Sequence, residues 1–203
     1  MMVSDDHGDT FRSIAVPNTN SSVFGPGISL QGQECQVAQA PDGTLVLNMR
    51  TAGDKLGERG VRQLSYSTSD GETWSAPRWW TPTGSPFSGG ASEASILSIP
   101  RTQTLAFLAP LNNKPFSWSR SNLTLMISED FGHSYEFRGT VDAGTGGYSS
   151  MAWVNDSIAI FYESHAYGAI TLKTTTVGVG SRTANTFQAV SMAAPGLSSE
   201  AGT

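Results

Sequence analysis

The chain has 203 residues, enough for one substantial core or two small ones, and carries a formal charge of −5 with a pI near 5.1. That balance, with no Lys/Arg cluster to offset it, argues against a nucleic-acid partner, and no apolar run approaches the ~20 residues that span a bilayer. With 14% charged residues, 22 Gly and 10 Pro, the composition suits an all-β protein built with many tight turns.

In chain order, the first element is a turn, "SDDHGDTF" from Ser4 to Phe11. The N-terminus has neither a basic region nor an apolar stretch, so it does not read as a signal peptide. "GQECQVAQAPDGTLVLNMR" then sets Glu34 ahead of an Asp-Gly turn and a strand. In that strand Leu45, Leu47 and Met49 alternate toward one face, and Arg50 continues the face of Thr44, Val46 and Asn48. Cys35 is the single cysteine, which excludes an internal disulfide framework and a Cys-rich zinc site. With no partner histidine it reads as a buried small apolar residue.

A second turn, "STSDGETW" from Ser67 to Trp74, precedes the pair Trp79–Trp80, which reads as packing ahead of a sugar platform. "SWSRSNLTLMISEDFGHSYEF" holds Arg120, a strand with Leu123, Leu125 and Ile127 on one face, and a third turn. Tyr148 follows the flexible "AGTGG", and "SIAIFYE" is a further short apolar run with β-branched and aromatic content. No stretch has a helical period. His7, His133 and His165 lack ligand spacing, so no metal or cofactor is implied. The tail is Ser/Ala/Gly-rich; residues 1–193 are expected to form the folded domain and 194–203 to be disordered. Sequons at Asn20, Asn122 and Asn155 favour a secreted or lumenal setting, without any targeting signal.

The three turns fit one pattern, Ser-x-Asp-x-Gly-x-Thr-aromatic, with Ser69 in place of the Asp in the second and Ser134 in place of the Thr in the third. They begin 63 and 61 residues apart. The pattern is that of a hairpin turn: short Asp and Ser side chains cap backbone N–H groups, Gly supplies a positive φ, and the aromatic anchors the loop on the sheet. An EF-hand-type calcium loop needs more carboxylates and a bidentate Glu at its twelfth position, which no copy supplies. Roughly sixty residues per unit, each with short strands and one stereotyped hairpin, describes the blade of a β-propeller.

These turns resemble the Asp boxes of sialidases (neuraminidases), and three further segments resemble that family in order. They are the Glu34 stretch ending in "NMR", the Arg120 stretch running into the third box, and "GGYSSMAWVNDSIAIFYE", with Asn155–Asp156–Ser157 where the family has an Asp-Gly turn. The resemblance covers about Val3 to Glu163 and implies a six-bladed propeller, here incomplete at about three blades. It further implies an exo-alpha-sialidase with a retaining mechanism, acting on sialylated glycoconjugates. Tyr148 is then the nucleophile, Glu34 its activating base, and Arg50 and Arg120 the second and third of three arginines gripping the substrate carboxylate. The residue types suit the chemistry: sialic acid carries a carboxylate on its anomeric carbon, which repels an anionic nucleophile but not a neutral hydroxyl. Arginine offers that carboxylate a planar fork.

The family pattern also has a first arginine and an acid/base Asp upstream of the Glu. The 33 residues before Glu34 hold an Asp box instead, and Arg12 follows that box in a hairpin position. The expectation is therefore the C-terminal part of a sialidase, with little activity alone. A non-catalytic Asp-box propeller that binds sialylated glycans and a trans-sialidase are the alternative readings.

Overall fold

The computed structural model describes residues 2–14, 33–50, 62–80, 92–111, 120–176 and 187–190. The expected disordered tail at 194–203 lies outside the described residues, as do Asn20 and Trp118. Within them the secondary structure is entirely β, and no helix is long and apolar enough to cross a membrane.

Three four-stranded antiparallel meanders follow one another. The first comprises β3 (Gln33–Gln39), β4 (Leu45–Arg50), β5 (Arg62–Ser67) and β6 (Arg78–Trp80). The second comprises β7 (Ser95–Ser98), β8 (Leu105–Pro110), β9 (Ser121–Ser128) and β10 (Glu136–Thr145). The third comprises β11 (Ser149–Val154), β12 (Ser157–Ser164), β13 (Ala169–Thr175) and β14 (Gln188–Val190). A two-stranded hairpin of β1 (Met2–Val3) and β2 (Arg12–Ser13) precedes them.

The leading strand of the middle meander, β7, lies against both β3 and β11, so the three leading strands adjoin as they do around a propeller axis. Apolar residues fill the two spaces between sheets. Val46, Leu64 and Trp80 of the first meet Phe107, Met126 and Tyr135 of the second. On the other side Ala106, Leu108, Leu123, Leu125 and Ile127 meet Ile158, Ile160 and Tyr162 of the third. Strand β8 is buried at every position because its alternate side chains serve two different interfaces, Phe107 one way and Leu108 the other. Trp80 packs as the sequence suggested, edge-on to Phe107 at 5.0 Å and Tyr135 at 5.1 Å.

The second and third Asp-box turns each follow the third strand of their meander, linking β5 to β6 and β9 to β10, and the first links β1 to β2. In the third, the Asp130 carboxylate accepts from the Ser128 hydroxyl (2.8 Å), the Ser134 N–H (2.8 Å) and the Ser134 hydroxyl (2.6 Å). Asp6 repeats this with Ser4 and Thr10. In the second box the Ser69 hydroxyl takes the Asp's place, accepting from the Thr73 N–H at 2.9 Å. Each box glycine adopts a positive φ, +97° at Gly8, +86° at Gly71 and +85° at Gly132. The carboxylate bonds are thus spent inside the loop, the Thr10 hydroxyl above all holding Asp6 down to about 2.

One expectation fails. Cys35 is exposed, not buried. The β3–β4 register slips between Gln33 and Gln36, and Glu34 has φ +43°, so the chain bulges outward there. Along β3 Gln36 and Ala38 turn toward the interior, and Cys35 shares the opposite face with Val37 and Gln39, both exposed.

Candidate active site

The antiparallel registers set one rim apart from the other. Gln33, Arg50 and Arg62 share an end of the first sheet, while Gln39, Leu45 and Ser67, where an Asp box begins, share the opposite end. The residues at the first rim converge. Glu34 lies at the start of β3, Arg50 at the end of β4, Arg120 just before β9 and Tyr148 just before β11.

The Tyr148 hydroxyl donates to Glu34 Oε1. Arg50 Nη1 donates to Glu34 Oε2 at 2.5 Å and to the Tyr148 hydroxyl oxygen at 3.3 Å, so one guanidinium touches both partners. Arg120 stacks its guanidinium 4.6 Å from the centre of the Tyr148 ring and 5.7 Å from that of Tyr167. Burial works against ionisation of Glu34. Hydrogen bonds from Arg50 and Tyr148 and the charges of Arg50 and Arg120 outweigh it, holding the carboxyl below its ordinary value. Glu34 is thereby a carboxylate at neutral pH, able to accept a proton. Tyr148 is 37% exposed.

The backbone of Tyr148 is clasped by the end of β12. Glu163 Oε2 accepts the Tyr148 N–H at 3.0 Å, and the Glu163 N–H donates to the Tyr148 carbonyl at 2.9 Å. Arg120, Tyr148, Glu163 and Tyr167 line an open cleft of about 310 Å³. Tyr167 closes one side from a turn in which His165, Ala166 and Tyr167 all have positive φ. Arg62, paired with Arg50 in the β4–β5 register, is only 1% exposed. It donates from Nε to Asn48 Oδ1 at 2.5 Å and from Nη1 to the Ser92 carbonyl at 2.8 Å. Burial pulls this guanidinium down to about 10, against the pull of the Glu93 charge.

All four residues singled out from the sequence therefore meet at one rim. Glu93 and Tyr167 carried no motif, and Glu163 stood inside a matching stretch without a role of its own. The signal for Glu93 was positional: like Glu34 and Tyr148, it sits at the start of the leading strand of a blade.

Three meanders with adjoining leading strands, and a polar constellation at one rim, define an open arc of a sialidase-type β-propeller. The BNR repeat-like domain model matches residues 1–161, and the chain belongs to that family. No curated protein sequence matches it. Among solved structures it is similar to the Hadza microbial sialidase Hz136, at 25% identity and a TM-score of 0.64 over 85% of this chain and 31% of that one. It is also similar to the intramolecular trans-sialidase of Ruminococcus gnavus, at 24% identity and TM-score 0.56, over 83% of this chain and 34% of that one. Trypanosoma rangeli sialidase matches at 21% identity and TM-score 0.59, over 84% of this chain and 26% of that one. A further structure of the T. rangeli enzyme holds 2,3-difluorosialic acid as a covalent intermediate. The chain thus spans about a quarter to a third of the length of these sialidases.

Proposed function

We propose that the rim site is that of a retaining exo-alpha-sialidase, with Tyr148 as nucleophile, Glu34 as its base, and Arg50 and Arg120 as ligands of the substrate carboxylate. The observation that carries this reading is the hydrogen bond from the Tyr148 hydroxyl to Glu34, with Arg50 touching both. A glycan-binding propeller has no use for a base beside an exposed tyrosine, so the pair favours an enzyme. As the phenolic oxygen bonds to the anomeric carbon, its proton passes to Glu34 and the glycosidic C–O bond breaks. Arg50, 3.3 Å from that oxygen, stabilises the charge that develops there. The leaving oxygen needs a proton of its own, and no residue of this chain is assigned that task. The 203-residue chain alone is therefore expected to hydrolyse sialosides poorly, since general acid catalysis is typically worth roughly 10²–10⁴-fold.

2,3-Difluorosialic acid tests the nucleophile separately from the acid. Its fluoride departs without being protonated, so the Tyr148 O–C2 bond forms as C2–F breaks and Glu34 takes the phenolic proton. Intact mass and peptide mapping should find the adduct on Tyr148, absent in Tyr148→Phe and formed roughly 10²-fold more slowly in Glu34→Gln. Because Glu34 must be ionised and its carboxyl is held low, labelling should persist as pH falls to the ordinary carboxylate range and fail only below it. An adduct on another residue, or none, refutes the assignment. Turnover of a fluorogenic sialoside by the chain at the rate of a full-length sialidase refutes the expected loss.

A further inference from the structure

Glu93 occupies the place in the second blade that Glu34 and Tyr148 occupy in the first and third, yet it does not reach the cleft residues. Its two carboxylate oxygens go elsewhere. Oε1 accepts the side-chain N–H of Gln36, on β3, at 2.7 Å, and Oε2 accepts the backbone N–H of Ser149, on β11, at 3.0 Å. Gln36 in turn accepts the Ile96 N–H, on β7, at 3.2 Å. The Ser95 and Ser149 hydroxyls add a bond of 2.8 Å between the second and third blades. Gln36 is where the β3–β4 register resumes after the bulge that carries Glu34, and Ser149 is the neighbour of Tyr148.

We propose that Glu93 is a positioning residue that sets the Tyr148 hydroxyl against Glu34 by tying the leading strands of three blades through one carboxylate. The inference rests on the reading of Tyr148 and Glu34 as nucleophile and base. The polarity of the network singles out a carboxylate. Ile96 N–H and Ser149 N–H are fixed donors, so the Gln36 oxygen faces Ile96 and its NH₂ faces Glu93. Residue 93 must then accept on both sides. Burial makes the charged form costly and raises the Glu93 carboxyl, against the Ser149 N–H, the Arg62 charge and the Gln36 amide, with the Glu34 charge adding to the rise. A half-buried carboxyl group kept between three blades, with both oxygens spent on two neighbouring strands, argues for a geometric task.

In Glu93→Gln the new amide turns an NH₂ toward one of two donors, and the tie opens on that side. The double variant Glu93→Gln/Gln36→Glu reverses the polarity. Gln at 93 then accepts from Ser149 and donates to Glu at 36, whose second oxygen accepts from Ile96, so all bonds are made again with the same net charge.

The test is the rate of 2,3-difluorosialic acid labelling by the full chain in the wild type, both single variants and the double. Fluorotyrosine placed at position 148 gives a second measurement, since its ¹⁹F shift reads the hydroxyl environment without any reaction. Expected in Glu93→Gln is a tenfold or greater fall in maximal labelling rate, half-saturation within about threefold of wild type, and a displaced ¹⁹F signal. The double variant should recover both to within about threefold. Equal labelling and an unmoved ¹⁹F signal in Glu93→Gln overturn the proposal. So does a double variant that folds but stays as slow as the single. Should the wild type fail to label while the ¹⁹F signal shifts in Glu93→Gln and returns in the double, the tie stands and the nucleophile assignment falls.

Discussion

Replacing Asp130 separates what the Asp box does for the fold from what the rim does for chemistry. The carboxylate accepts three hydrogen bonds, two from Ser134 and one from Ser128. Bonds to a charged acceptor are worth about 1.5–3 kcal/mol each when water cannot replace them. Asp130 and Ser134 are only partly buried, so the Ser134 hydroxyl recovers most of its loss by hydration. The Ser134 N–H, held inside the turn, and the hydroxyl of Ser128, a residue 1% exposed, lose their acceptor. The deletion then resembles loss of a strong N-cap together with one buried hydroxyl bond, and Asp130→Ala should cost about 2–3 kcal/mol. The second box supplies the control: Ser69 stands in the Asp position and still bonds the Thr73 N–H at 2.9 Å and the Thr73 hydroxyl at 2.7 Å. Asp130→Ser should therefore cost under about 1 kcal/mol. Urea unfolding should place the Ala variant roughly 1 M below wild type for an m-value of about 2–3 kcal/mol/M, with the Ser variant between them. The pH dependence has a defined sign. Burial opposes ionisation, but the bonds from Ser134 and Ser128 hold the folded carboxyl below its ordinary value. Its contribution is full above the unfolded value and is lost as pH falls through the folded one, so the gap between wild type and Asp130→Ala should close in acid. Since the box lies at the rim opposite Tyr148, labelling of Tyr148 should be unaffected under native conditions. Equal destabilisation by Ala and Ser, or a labelling defect in a folded variant, would refute this reasoning.

Two other substitutions probe the packing. A Cβ at Gly147 would clash with Glu163 Oε2 and stand 2.8 Å from Tyr167 Cε1, so Gly147→Ala should displace the clasp on Tyr148; labelling should fall at least tenfold with little loss in urea resistance. Trp80 is 5% exposed between Phe107 and Tyr135, and Trp80→Ala should cost about 3–5 kcal/mol by urea titration, with Trp80→Phe much milder.

The ordered motifs were legible because each is local. An Asp box caps itself within eight residues, and the strands before and after it announce themselves by alternation. Tyr148, Glu34, Arg50 and Arg120 could be picked out because the ordered segments that carry them resemble those of sialidases. What escaped depends on geometry between blades. Glu93 in "SGGASEAS" has no neighbour in sequence that explains it; its partners Gln36 and Ser149 lie 57 and 56 residues away. The failure at Cys35 has a different root: residue type suggested burial, but Cys35 falls on the face of β3 that also exposes Val37 and Gln39. Tyr167 reaches the cleft only through a run of left-handed residues, a conformation that its sequence, "HAYG", does not signal.

The spread of the site over several blades has a consequence for how it could be taken apart. Glu34 and Arg50 belong to the first sheet, Arg120 adjoins the second and Tyr148 leads into the third, with Glu34 and Tyr148 114 positions apart in the chain. A chain severed between β6 and β7 would leave Glu34 on one piece and Tyr148 on the other. On the proposed mechanism each piece would be chemically silent, and their reassociation would be reported by the return of a reactive tyrosine.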